Sequence, residues 1–222
     1  MERLQEKLNY RFRDIGLLTN ALTHSSYANE HRCPSNERLE FVGDSVLGMV
    51  TAAYLYRSFP QLPEGRMTKL RAELVCEQSL YEAAKKLGLG GYLRLGKGEE
   101  LTGGRERPSI LADCVEAIIA AVYLDGGLAC ARKLIYALVL SKLEGKGPEL
   151  VQDYKTRLQE LVQQTPGQSV SYALLGESGP DHDKRFVSAA YVGGEMAGSG
   201  EGRTKKEAEQ MAARSALERI EA

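Results

Sequence analysis

The chain is poor in the residues that announce several common chemistries. It holds four cysteines and three histidines in 222 residues. Cys33, Cys76, Cys114 and Cys130 lie far apart with no CxxC pair, so neither a zinc site nor a disulfide framework is indicated. They read as reduced packing or surface thiols. The net charge is -1, which withholds the bulk basic signal of a nucleic-acid binder. Residues 151–222 make the same point, with nine Lys+Arg against eleven Asp+Glu. No apolar run reaches the length needed to cross a bilayer. The opening MERLQEKLNYRFRD is charged and lacks the apolar region of a signal peptide. These absences predict a cytoplasmic protein that does not use a membrane and whose nucleic-acid contacts, if any, come from local clusters. What is present is a hydrophobic fraction of 43%, enough for a core, in a length suited to one large domain or two small ones.

Residues 1 to about 144 read as helical. Asp14 caps a predicted helix through Leu17, Leu18 and Ala21, and Ser35 or Asn36 caps a long one reaching about Arg57 before Pro60. Gly65–Val75 and Glu77–Leu87 are further helices, the latter stopped by glycines. Residues 96–108 read as a loop rich in glycine and charge. Residues 109–127 form a strongly apolar helix with a Gly-Gly stop, and one more helix runs to about Leu143. The glycines and proline of EGKGPELVQ then mark a linker. Beyond it the pattern becomes a helix opened by Asp153 and ending near Gln164, strands over Ser169–Glu177, Phe186–Val192 and Glu195–Gly200, and a helix announced by the capping-box pair Thr204 and Glu207. The expected organisation is an all-α domain (1–145), a flexible linker (146–152) and a small α+β unit of α-β-β-β-α order (153–222).

The stretch NERLEFVGDSVLGMV, residues 36–50, sets a puzzle. Leu39, Val42, Val46 and Val50 recur at helical spacing, yet Glu37, Glu40 and Asp44 share one face within roughly 60° at about 100° per residue. Like charges so placed destabilise a helix, and partial burial makes them worse. The helix at 109–124 repeats the pattern, with Asp113 and Glu116 among Ile110, Leu111, Val115 and Ile118. Two apolar helices with facing acidic notches would build an oxygen-only site, suited to Mg²⁺ or Mn²⁺. Acid-rich helices of this kind also serve prenyl-diphosphate chemistry, so the notches alone do not name a reaction.

The C-terminal unit discriminates. Its last helix starts GRTKKEAEQ, with Lys205 and Lys206 in the first turn, where cations oppose the helix dipole unless an anion is to be held. A helix N-terminus with two lysines suits backbone phosphates. His182 sits in the polar loop GPDHDKRF, from which it would reach a groove edge. Thr156, Gln159 and Glu160 line one side of the short helix, where polar groups meet 2′-hydroxyls of a shallow minor groove. No aromatic ladder for single-stranded bases is present. The pattern favours recognition of duplex shape.

Taken in order, these segments resemble bacterial ribonuclease III along essentially the whole chain. NERLEFVGDSVL resembles that family's signature segment. LTHSSYANE, EGRMTKLRAELV and SILADCVEAIIAAVYLDGG resemble its other nuclease blocks, and DYKTRLQE, GPDHDKRF and GEGRTKKEAEQMAARSAL resemble its double-stranded RNA-binding domain. The resemblance implies that Glu40, Asp44, Asp113 and Glu116 form the catalytic and metal-binding set, with Glu37 and Glu64 as supporting acids. It implies a metal-dependent endoribonuclease acting on double-stranded RNA but not DNA. Its products would carry 5′-phosphates, 3′-hydroxyls and short two-nucleotide 3′ overhangs, in the processing of ribosomal RNA precursors and other structured transcripts. It also implies a homodimer through the nuclease domain, with Phe41 buried between subunits. Val42, Ser45 and Cys114-Val115 depart from the usual family residues without removing a functional group. The alternative is a non-catalytic dimeric binder of double-stranded RNA, but none of the four acids is missing.

Overall fold

The structure, a computed structural model, describes residues 1–143, 154–180 and 184–221. The chain forms two compact units, Met1–Lys146 and Gly147–Ala222. The predicted linker 146–152, Asp153 and His182 lie outside the described residues.

The first unit is helical. Helix α1 spans Glu2–Lys7, α2 Ile15–Ala21, α3 Ser25–His31, α4 Glu37–Ser58, α5 Glu64–Val75, α6 Glu77–Leu87, α7 Lys97–Leu101 and α8 Pro108–Leu138, followed by a 3-10 turn at Leu140–Leu143. Asp14 caps α2 as expected, its side chain accepting the Gly16 N–H. At α4 the N-cap residue is Asn36, but its side chain makes no capping bond, and the Ser35 hydroxyl instead donates to Glu37 at 2.7 Å. The core is built on α8, where Leu111, Val115, Ile118 and Ile119 are almost fully buried. Burying such side chains stabilises the fold by about 1.5–3 kcal/mol each.

Three features correct the sequence reading. The expected loop at 96–108 contains α7 and a 3-10 turn at Gly104–Glu106. Arg105 orders it by donating to the carbonyls of Gly90 (2.8 Å) and Leu93 (2.9 Å), while Glu99 and Glu100 pair with Arg107 and Arg105. Helices α1 and α3 were not legible: they open on Met1 and His24 and lack the aspartate cap that announces the equally short α2. Finally, α8 is long and apolar enough by composition to span a bilayer. Gly127 (φ 80°, ψ 176°) divides it, however, at the expected Gly-Gly stop, and its apolar residues fill the helical core.

The second unit has helix α9 (Tyr154–Gln163), strands β1 (Val170–Ser178), β2 (Arg185–Val192) and β3 (Glu195–Gly202), and helix α10 (Lys205–Ile220). The strands form an antiparallel sheet in the order β1-β2-β3. Gly193 and Gly194 make the β2–β3 turn with φ of 60° and 90°, a conformation that favours glycine. Gly198, Gly200 and Gly202 let β3 approach α10 so closely that a Cβ on any of them would strike its backbone near Ala208, Ala212 or Ala216.

Candidate active site

The acidic notches of α4 and α8 face each other. Gly43 lies against the backbone of Glu116, where an added Cβ would collide with the Glu116 carbonyl. This close approach brings carboxylate oxygens of Glu40, Asp113 and Glu116 within 4.8 Å of one another, all three half-buried. Such an arrangement is unfavourable without a cation. Burial, and then the charges of Asp44, Asp113 and Glu40, push the Glu116 carboxyl up to about 8. Burial, followed by Asp113, Glu37 and Asp44, raises Glu40. Burial and Glu77 raise Asp113, with His24 acting in the opposite direction. A half-buried, oxygen-only donor set whose members repel one another fits a hard divalent cation.

The other predicted residues fall around this group rather than in it. Asp44 is exposed one turn along α4, and its charge reaches Glu116 and Glu40. Glu37 is exposed, held by Ser35, and acts on Glu40. Glu64 opens α5 and accepts the Thr68 hydroxyl at 2.7 Å; it is not part of the three-acid group. Cys114 points away into the core, and burial pushes its thiol up to about 12. Sequence reasoning missed His24 and Glu77, whose charges act on Asp113. No periodicity links them to α8, and only the fold brings them near.

The second unit carries the other predicted contacts. Thr204 accepts the Glu207 N–H as the sequence predicts, while the Glu207 carboxylate returns to accept the Arg203 N–H, one residue before the cap. It presents Lys205 and Lys206, both exposed, in the first turn of α10. Thr156, Gln159 and Glu160 are exposed on α9. Lys155 ties α9 to α10 through Glu209 at 2.6 Å and lies over the Tyr172 ring at 4.3 Å. On the first unit, α4 leaves Phe41, Met49 and Tyr56 on one face, 77%, 51% and 72% exposed.

An acid cluster able to hold a cation between two helices, in a chain that also carries an α-β-β-β-α unit, fits a nuclease joined to an RNA-binding module. Residues 14–143 match the family described as ribonuclease-III-like, and residues 154–220 match the double-stranded RNA binding motif. Ribonuclease 3 of Caldanaerobacter subterraneus is 50% identical over 220 residues, covering 98% of this chain and 96% of that protein. Ribonuclease 3 of Pelotomaculum thermopropionicum is 52% identical, covering 96% and 90%. A ribonuclease III nuclease domain from Campylobacter jejuni, studied for flexibility in its dimer-forming region, is 43% identical with a TM-score of 0.60. That match covers 63% of this chain and 96% of that one. The chain belongs to the ribonuclease III family and is a double-strand-specific endoribonuclease.

Proposed function

We propose that the protein hydrolyses phosphodiester bonds of double-stranded RNA at the acid cluster, with Mg²⁺ as its metal and Mn²⁺ as a substitute. The observation that carries this reading is the convergence of Glu40, Asp113 and Glu116 at the α4–α8 contact. These three and Asp44 hold the cation directly or through water, while Glu37 and Glu64 support them from the rim. The metal, when bound, lowers the pKa of a water and offsets charge on the scissile phosphate. Water attack on phosphorus with departure of the 3′-oxygen leaves a 5′-phosphate and a 3′-hydroxyl. No 2′-hydroxyl takes part, so discrimination against DNA falls to A-form shape and 2′-hydroxyl contacts. Those are assigned to Thr156, Gln159, Glu160, His182, Lys205 and Lys206.

The face of Phe41, Met49 and Tyr56 supports a homodimer, because exposed apolar side chains in one stripe favour a self-complementary contact. Two sites related by a twofold axis would meet the two antiparallel strands equivalently and leave the short two-nucleotide 3′ overhangs. We assign the catalytic domain to residues 1–145, a linker to 146–152 and the RNA-binding domain to 153–222. Ribosomal RNA precursors and other structured transcripts in the cytoplasm are the substrates this reading implies.

The test is a labelled RNA duplex and its matched DNA duplex, each incubated with Mg²⁺ or EDTA and resolved on a denaturing gel. RNA cut only with metal, and DNA spared, is the expected result. RNA bound but uncut in both Mg²⁺ and Mn²⁺ would make the protein a binder instead.

A further inference from the structure

His24 is built into the catalytic end of α4. Thr23 pairs with Arg94 in an isolated parallel bridge, and the His24 N–H donates to the Arg94 carbonyl at 3.1 Å. The Asn36 N–H donates to the Thr23 carbonyl at 2.8 Å, and the Asn36 carbonyl in turn accepts the Glu40 N–H at 2.9 Å. Two backbone hydrogen bonds therefore join the residue beside His24 to one of the three clustered acids.

The imidazole itself is held in a defined state. His24 is the N-cap of α3, and its Nδ1 accepts the Ser26 N–H at 3.3 Å. The Ser26 Oγ lies 2.8 Å from the same nitrogen and already accepts the Gly96 N–H at 2.9 Å. With Nδ1 accepting the Ser26 N–H, the hydroxyl is the donor in that contact. A nitrogen that accepts cannot carry the proton of the neutral ring, so the hydrogen-bond pattern assigns that proton to Nε2. Among the described residues no hydrogen bond engages Nε2. The ring is half-buried and lies within electrostatic range of Asp113, one of the clustered acids.

We propose that His24 is a further RNA-contacting residue of the catalytic site, its Nε2–H donating to a nonbridging phosphate oxygen of the strand held at Glu40, Asp113 and Glu116. The proposal rests on the duplex-RNA hydrolysis read above. A group of carboxylates repels an incoming phosphodiester. A fixed N–H donor at its edge gives the phosphate a partner without taking a carboxylate away from the cation.

The experiment uses the full-length protein and two variants. His24→Asn keeps a side-chain oxygen for the Ser26 N–H, a good cap, but removes the far edge of the ring. His24→Gln restores an amide N–H near the position of Nε2. With Mg²⁺ and a saturating RNA duplex, kcat of His24→Asn is expected to fall about tenfold or more, as for a lost hydrogen bond to a charged group. The thermal midpoint and Mn²⁺ affinity should stay unchanged, and His24→Gln should recover part of the rate. A phosphorothioate of the matching configuration at the scissile position should slow the wild type but slow His24→Asn no further. Wild-type kcat in His24→Asn would overturn the proposal, as would a loss of activity that tracks a lowered midpoint or weakened Mn²⁺ binding. Failure of the wild type to cut RNA with Mg²⁺ would instead overturn the hydrolytic reading, and this proposal with it.

Discussion

Gly43 and Glu116 touch through their backbones: the face of Gly43 that would carry a side chain is occupied by the Glu116 carbonyl. The distance between α4 and α8, and so the spacing of the acids, is set at this point. Gly43→Ala is expected to push the helices apart, lowering stability by about 1–3 kcal/mol as overpacking does. Cleavage should fall further than the unfolded fraction explains. Denaturant unfolding alongside cleavage at a fixed RNA concentration separates the two effects, and a stable, fully active variant would show that the contact does not set the site.

Glu116→Gln removes one proposed metal ligand with almost no change in volume. Loss of several kcal/mol of charge stabilisation corresponds to a rate reduced about a hundredfold or more. Binding of an RNA duplex, followed by fluorescence anisotropy, should persist, because Lys205 and Lys206 lie in the other unit. If binding disappears together with cleavage, the two units do not divide the work in this way.

The carboxyl of Glu116 ties stability to pH. Its value is raised from the usual 4.5 to about 8 in the folded protein, by burial first and neighbouring carboxylates second. Between those two values the folded chain binds more protons than the unfolded one, so the metal-free protein loses stability as pH rises from about 4.5 to about 8. Metal requires the ionised form, so its affinity should climb over the upper part of the same window. Melting temperatures in EDTA and in Mg²⁺ across that range should therefore diverge with rising pH, and Glu116→Gln should flatten the EDTA curve. Parallel curves for the wild type would contradict the assignment.

Phe41 is 77% exposed, on the face of α4 that it shares with Met49 and Tyr56. Phe41→Glu should convert a dimer to a monomer in sedimentation velocity while leaving the helical circular dichroism in place. A dimer that survives this change, and the matching change at Tyr56, does not use this face.

The acids Glu40, Asp113 and Glu116 were legible because a carboxylate among apolar residues at helical spacing has few bland explanations. The C-terminal unit was legible because Thr204 and Glu207 mark a helix start, and Gly193-Gly194 a turn, within a few residues of chain. Helix α3 and its cap, His24, were not. Their positions follow from bonds to Arg94 and Asn36, residues distant in sequence, and a histidine cap does not announce a helix as Asp14 does for α2. The order in 96–108 was hidden for the same reason, since Arg105 reaches back to Gly90 and Leu93.

The glycines of β3 have an effect beyond close packing. Over β3, Gly198, Gly200 and Gly202 leave α10 resting on main chain instead of side chains. The height of that helix over β3, and with it the reach of Lys205 and Lys206, is therefore set there by peptide geometry. Leu158 and Val162 pack into the same core as Ala212, Ala216 and Leu217 of α10, so a change of volume there tilts the helix about its seat on β3 instead of lifting it off.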